Sequence, residues 1–195
     1  MKPFILERDL PLHLSSILDG FLYEVKEANY TGRGQVMGIE ISTRTVNATS
    51  PKASIPGTRK GSDSPAPLPI TRGVATVDAS CEELRRFWAE GRDWARHMKI
   101  ADPMFIKGRK QLIGDGLYQC YAAFSLPGDV AGVTPRDFTF NELVVARKDG
   151  SVAVVCWNQP WEAYPPDTSY FPSYIRGRII LSGYFARPLS KTKSR

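Results

Sequence analysis

The sequence predicts an α+β domain, an antiparallel sheet of about seven strands with one clear helix set between strands. Three observations carry this. Several segments alternate apolar and polar residues at period two, the spacing of a strand with one buried face. Asp115-Gly116 and Asp149-Gly150 each separate two apolar runs, and glycine supplies the positive φ that a tight hairpin needs. Ser80-Cys81-Glu82-Glu83 has the form of a capping box, in which Ser80 caps the amide of Glu83 and Glu83 reaches back.

In chain order, Phe21, Tyr23 and Val25 alternate over 21–27, and Val36 to Val46 alternates again. Both read as strands, with Gly32 and Gly34 as the turn between them. Residues 47–69 are rich in Ser, Pro, Gly and Lys and almost free of large apolar side chains. They read as a long flexible loop, because nothing in them offsets the entropy of ordering it. Residues 70–77 (Ile70, Val74, Val77) read as a strand. The helix opened by Ser80 places Cys81, Leu84, Phe87 and Trp88 on one face, and Gly91 ends or kinks it. A short helix follows with Trp94 and Met98. Hairpins then pair Met104–Ile113 with Leu117–Phe124 and Phe138–Arg147 with Ser151–Trp157, and 174–186 forms one more long strand. The 195 residues suit one domain, 1–195, and no repeat is visible.

Composition narrows the function. A hydrophobic content of 42% is an ordinary globular value, and the net charge of +6 mildly favours acidic partners. Cys81, Cys120 and Cys156 are odd in number and far apart, the pattern of reduced buried thiols in a cytoplasmic protein. The N-terminus lacks a signal-peptide apolar core, and no stretch approaches the roughly 20 apolar residues of a membrane span. Membrane contact is therefore expected to be peripheral. Two histidines, His13 and His97, cannot build a metal site with scattered cysteines. Gly32-Arg33-Gly34-Gln35-Val36-Met37-Gly38 has one residue too many for a dinucleotide loop and leads into a strand. No phosphate-binding loop or serine elbow is present, so no catalytic residue, metal or cofactor is expected. The aromatics lie in apolar strand patterns without an interleaved basic stripe, which argues against nucleic acid.

Two segments are more specific. Gly132-Val133-Thr134-Pro135-Arg136-Asp137-Phe138 is one; Tyr174-Ile175-Arg176-Gly177 with Ser182-Gly183-Tyr184-Phe185-Ala186-Arg187-Pro188-Leu189-Ser190 is the other. With Gly38-Ile39-Glu40-Ile41, Asp78–Leu84 and Trp94 in the same order, the chain resembles the START domain family of StAR-related lipid-transfer modules over roughly residues 35–190. The resemblance implies a helix-grip fold, a curved antiparallel sheet with few helices closed around a C-terminal helix. It implies a non-catalytic protein that binds one sterol, phospholipid or ceramide-like lipid in a hydrophobic groove and meets membranes transiently. The alternatives are an adaptor module on the same fold and a cyclase-like enzyme of the related superfamily.

On that resemblance Trp94, Tyr121, Phe124, Glu142 and Trp157 are the candidate lipid-binding residues. Tyr121 and Glu142 fall where sterol-binding members carry a buried Glu–Arg pair. A buried Glu142 must bond Tyr121, find another cation or sit protonated. Gly91 and Ala95, with Arg92 one place off, depart from the charged pattern of some phospholipid-binding members. Val130 and Val133, in the loop 126–135, and Trp161, in the loop 159–173, are gate or membrane-contact candidates. The second loop has an equal alternative, that its aromatics pack on the sheet. Arg136 is expected to pair with a carboxylate other than Asp137 and lock the strand, with Phe138 on its face.

The family continues beyond the position of Arg195 with a strand and a lid helix. Three expectations address the groove: a naturally shortened form, a truncated product, or an N-terminal cover by the short run Leu10–Leu18. A homodimer through the open groove would also cover it.

Overall fold

The computed structural model describes residues 1–26, 30–36, 38–46, 68–89, 93–125, 134–164, 174–190 and 193–194. Its elements are β1 (Ile5–Leu6), a 3-10 turn (Glu7–Asp9), α1 (Leu12–Lys26), β2 (Thr31–Val36), β3 (Ile39–Val46), β4 (Leu68–Val74), α2 (Cys81–Ala89), α3 (Trp94–Ala101), β5 (Phe105–Gly114), β6 (Leu117–Phe124), β7 (Arg136–Ala146), β8 (Val152–Asn158), β9 (Ile175–Arg176) and β10 (Ser182–Ala186). Of the expected loop 47–69, only Leu68 and Pro69 are described, and they open β4.

Strands β10, β8, β7, β6 and β5 pair in that order, each antiparallel to the next. The two-residue strands β1 and β9 extend opposite ends of β7, and both run parallel to it. The sheet is therefore not wholly antiparallel. Strands β2, β3 and β4 form a separate antiparallel sheet.

Both Asp-Gly hairpins form, with Gly116 and Gly150 at positive φ. The capping box forms as well: the Glu83 amide donates to Ser80 Oγ at 3.2 Å, and the Ser80 amide donates to Glu83 Oε2 at 2.7 Å. Within α2, Cys81 is buried and Leu84 and Trp88 pack on the core, but Phe87 turns outward and stacks on His97. A helical position 240° round the wheel from Cys81 lies off the buried stripe, so the predicted four-residue face was one residue too wide.

Other expectations are corrected. Residues 21–26 are helical, not a strand. Their period-two pattern is a fragment of a longer 3–4 repeat in which Leu14, Leu18 and Phe21 bury one face, and the longer repeat decides. Gly32 and Gly34 lie inside β2, flanking a bulge, and the turn falls at Gly38 with φ 80°. The strand expected over 70–77 ends at Val74, and Val77 makes only a lone bridge to Ser194. The long strand expected over 174–186 is split into β9 and β10, which pair with different partners.

The core lies on both faces of the larger sheet. On the inner face Tyr118, Cys120, Ala122, Phe140, Val144, Val154 and Cys156 meet Trp88 and Ala89 of α2 and Trp94, Ala95 and Met98 of α3. On the reverse face Leu143, Val145, Ala153, Val155 and Trp157 receive Leu14, Leu18 and Phe21 of α1. The N-terminal segment thus forms a longer helix than expected and covers the face opposite Glu142. Gly183 permits this contact: a Cβ there would sit 2.0 Å from the Val154 carbonyl and 3.0 Å from the Phe21 ring.

Candidate ligand site

Strand alternation sorts the candidate residues. Across β6 and β7, Tyr118 pairs with Glu142, Cys120 with Phe140, Ala122 with Phe138 and Phe124 with Arg136. Side chains at period two share a face. Phe124 and Glu142 therefore lie on the inner face, where Phe124 meets Phe105 and Phe138 edge-on with centroids 5.7 and 5.9 Å apart. Trp94 arrives there from α3 and packs edge-on to Phe105 at 5.8 Å. Gly108 makes room for it, since a Cβ at Gly108 would stand 2.7 Å from the indole.

Tyr121 and Trp157 fall on the reverse face. Tyr121 is buried and stacks on Tyr164 at 4.4 Å, and Trp161 lies 4.6 Å from Tyr164. Trp157 packs in the cluster under α1. The pairing of Tyr121 with Glu142 across one tunnel is corrected, because a residue three places from Tyr118 necessarily points to the other side of the strand. In the described part of 159–173, Trp161 and Tyr164 pack on the sheet. Val130, Val133, Gly91 and Arg92 lie outside the described residues.

Glu142 has found another cation, the second of the three outcomes foreseen for it. Lys110 reaches over the Tyr118 ring, 4.2 Å from its centroid, and places Nζ 2.5 Å from Glu142 Oε1. The lysine side chain is fully buried and the carboxylate nearly so. Lys110 Nζ also donates to the carbonyl of Trp88. The Tyr118 hydroxyl lies 2.7 Å from the Ala89 carbonyl and 2.8 Å from that of Pro3, and its single proton serves one of them at a time. The carbonyls that end α2 are thus satisfied from the sheet, and the cation sits at the negative end of a helix. Cys156 Sγ faces Glu142 Oε2 at 3.9 Å. Burial first, then the charge of Glu142, raises the Cys120 and Cys156 thiols well above their ordinary value and pushes the Tyr118 phenol up.

Sequence reasoning missed Lys110 and Tyr118. The available signal was weak: Lys110 is in phase with Leu112, but it stands in the basic run Lys107-Gly108-Arg109-Lys110, which reads as a solvated edge.

The two diagnostic motifs meet where β9 pairs with the start of β7. Asp137 and Arg176 are partners in the parallel β7–β9 pairing. Arg176 grips the fully buried Asp137 through Nε at 2.8 Å and Nη2 at 2.9 Å, and Nη2 also donates to the Tyr164 carbonyl. The carboxylate in turn raises the pKa of the guanidinium. Gly177 lies against Phe138, where a Cβ would come within 2.2 Å of the ring. The strand lock was expected at Arg136; that residue is exposed, and Asp137 is the locked one. A carboxylate is the better inward choice here because it is compact and accepts the bidentate fork of an arginine reaching in from a neighbouring strand.

This architecture, a large curved sheet with few helices, is the START-like helix-grip α+β fold of the StAR-related lipid transfer proteins. The chain is similar to human StAR-related lipid transfer protein 5 over 94% of its length and 76% of that chain, with TM-score 0.66 and 21% identity. It is also similar to the STAR-related lipid transfer protein (fragment 25–204) of Xanthomonas axonopodis, over 86% of its length and 78% of that chain, with TM-score 0.61 and 15% identity. No family model matches the chain, and no curated protein matches it by sequence. Among the described residues no helix is long and apolar enough to cross a membrane.

Proposed function

We propose that this protein binds one lipid of sterol, phospholipid or ceramide type against the inner face of its larger sheet and carries it without chemistry. It works in the cytoplasm and meets membranes transiently, with Val130 and Val133 assigned to the gate; Trp161, packed on the reverse face, is not part of it. Trp94 and Phe124 contribute apolar contact, and Glu142 with Lys110 forms the polar anchor. The observation that carries the reading is this buried Lys110–Glu142 ion pair, the one found within the inner-face apolar cluster among the described residues. Oε1 of Glu142 is engaged by Lys110, while Oε2 has only the long thiol contact among the described residues. A ligand hydroxyl can therefore donate to Oε2 without displacing the lysine.

The test separates binding from stability. Glu142→Leu or Lys110→Met alone leaves an uncompensated buried charge and costs about 3–5 kcal/mol. The double variant removes both charges and recovers most of that stability. The expected result is a folded double variant that binds sterol or ceramide at least about tenfold more weakly than the wild type, the worth of one hydrogen bond to a charged group. Unchanged affinity sinks the anchor. Organic extraction and mass spectrometry of the wild-type protein from its native host tests the wider reading. No bound lipid and no uptake from vesicles would favour the adaptor reading.

A further inference from the structure

The corner where α3 turns into β5 is built against the usual pattern of a surface helix. Trp94, Ala95 and Met98 put the buried stripe of α3 on the core. The opposite face carries Arg96, Lys99 and Ile100, all exposed. Ile100 is 76% exposed, in the middle of the face where a helix places charges. It is not an isolated case. One turn back on α3 (i−3), His97 stacks on the outward-turned Phe87, which is 45% exposed. Four residues on, past Pro103, Met104 is 36% exposed, and Ile106 at the start of β5 is 38% exposed.

We propose that this corner docks on an anionic lipid bilayer, with Ile100 and Met104 entering the headgroup region and Arg96 and Lys99 meeting the lipid charges. The surface is separate from the inner-face site, and the proposal does not rest on the lipid-carrier reading. Charge complementarity selects the occupant. Two exposed cations flank Ile100 on its own helix, Lys107 follows Ile106 with its ammonium also 5.3 Å from the Tyr174 ring, and the whole chain carries +6. The nearby acids offset this only in part: Asp93 is exposed at the start of α3, and Asp102 is half-buried with its carboxylate accepting the Met104 amide at 2.8 Å. An apolar tip ringed by long basic side chains is how a protein lies on a membrane without crossing it, because the aliphatic stems follow the apolar surface while the charges stay at the headgroups. The position supports it further. Met104 accepts a hydrogen bond from the Ser125 amide at the end of β6, so this corner and the β6 terminus form one edge of the molecule.

The experiment is co-flotation of the full chain with vesicles of phosphatidylcholine alone and with 30% phosphatidylserine (about a third of the lipid, enough for a strong surface potential). The wild type is expected to float only with the anionic vesicles and to detach as salt is raised. Ile100→Ser with Met104→Ser should weaken binding about tenfold, and Lys99→Glu at least about fivefold. Both changes are at the surface and should leave the circular dichroism spectrum and the extracted lipid unchanged. Wild-type affinity in both variants overturns the proposal. So does a wild type that ignores anionic vesicles, or one that uses this corner to self-associate in sedimentation. A protein that docks through the corner yet yields no extracted lipid leaves this inference standing and removes the carrier function.

Discussion

At the scale of single residues, the two motifs that define the family resemblance are two halves of one clip. Asp137 and Gly177 have meaning only through Arg176 and Phe138, their partners about forty residues away in the chain. Asp137→Asn keeps the shape but removes the charge, leaving Arg176 with a neutral acceptor. It should lower stability by about 3 kcal/mol, the lower end for breaking a buried pair, since Arg176 keeps some solvent contact. Arg136→Ala, by contrast, should change stability by less than about 0.5 kcal/mol, as surface substitutions do. Urea denaturation of the two variants checks both, and equal midpoints would return the lock to Arg136. The importance of Pro135–Phe138 was legible in the sequence, but which of its two charged residues faced inward was not. Alternation fixes that Arg136 and Asp137 oppose each other, and only the neighbouring strand decides which one meets a counter-charge.

At the scale of elements, local chemistry was read most reliably where it closes over three or four residues. The α2 capping box is an example, and so are the Asp-Gly hairpins. Ser80→Ala should cost about 1 kcal/mol, and Ser80→Asp should largely restore it; thermal melts decide, and an unchanged Tm for Ser80→Ala would remove the cap from the account. Glu83 is held below its ordinary value first by the Ser80 amide and then by its hydroxyl. Its contribution is present above the ordinary carboxylate range and is lost as pH falls below it, so Glu83→Gln should flatten the acid limb of stability. The same local reading failed for 21–26, where a six-residue window cannot tell alternation from a fragment of a helical stripe. It failed again for 174–186, because the break between β9 and β10 follows from pairing with two different strands, a fact about neighbours.

At the scale of the whole molecule, the three thiols are all buried and free, and two of them share the inner face with Glu142. Burial and that carboxylate hold Cys120 and Cys156 well above the ordinary thiol value of 9.0. Above pH 9 the unfolded chain therefore releases protons that the folded chain keeps. Stability is full below that pH and falls as pH rises beyond it. Urea midpoints should drop between pH 8 and pH 10, and Cys120→Ala with Cys156→Ala should reduce the drop. Equal midpoints at the two pH values would contradict this. Native protein at pH 8 should also leave both thiols unmodified by a polar thiol reagent.

The sequence alone determined the α+β class, the hairpins, the α2 cap, the buried thiols and the START-like fold, because each is written in short-range chemistry or in motifs whose order survives. Tertiary structure alone decided the site. It placed Glu142 with Lys110 on the inner face and turned Tyr121 and Trp157 to the reverse face. It laid α1 over that reverse face and left Ile100 exposed at the α3 corner. The physical reason is that a strand's side chains alternate at period two, so one residue of register or one bulge exchanges the faces. Register is set by the neighbouring strands and not by the strand itself.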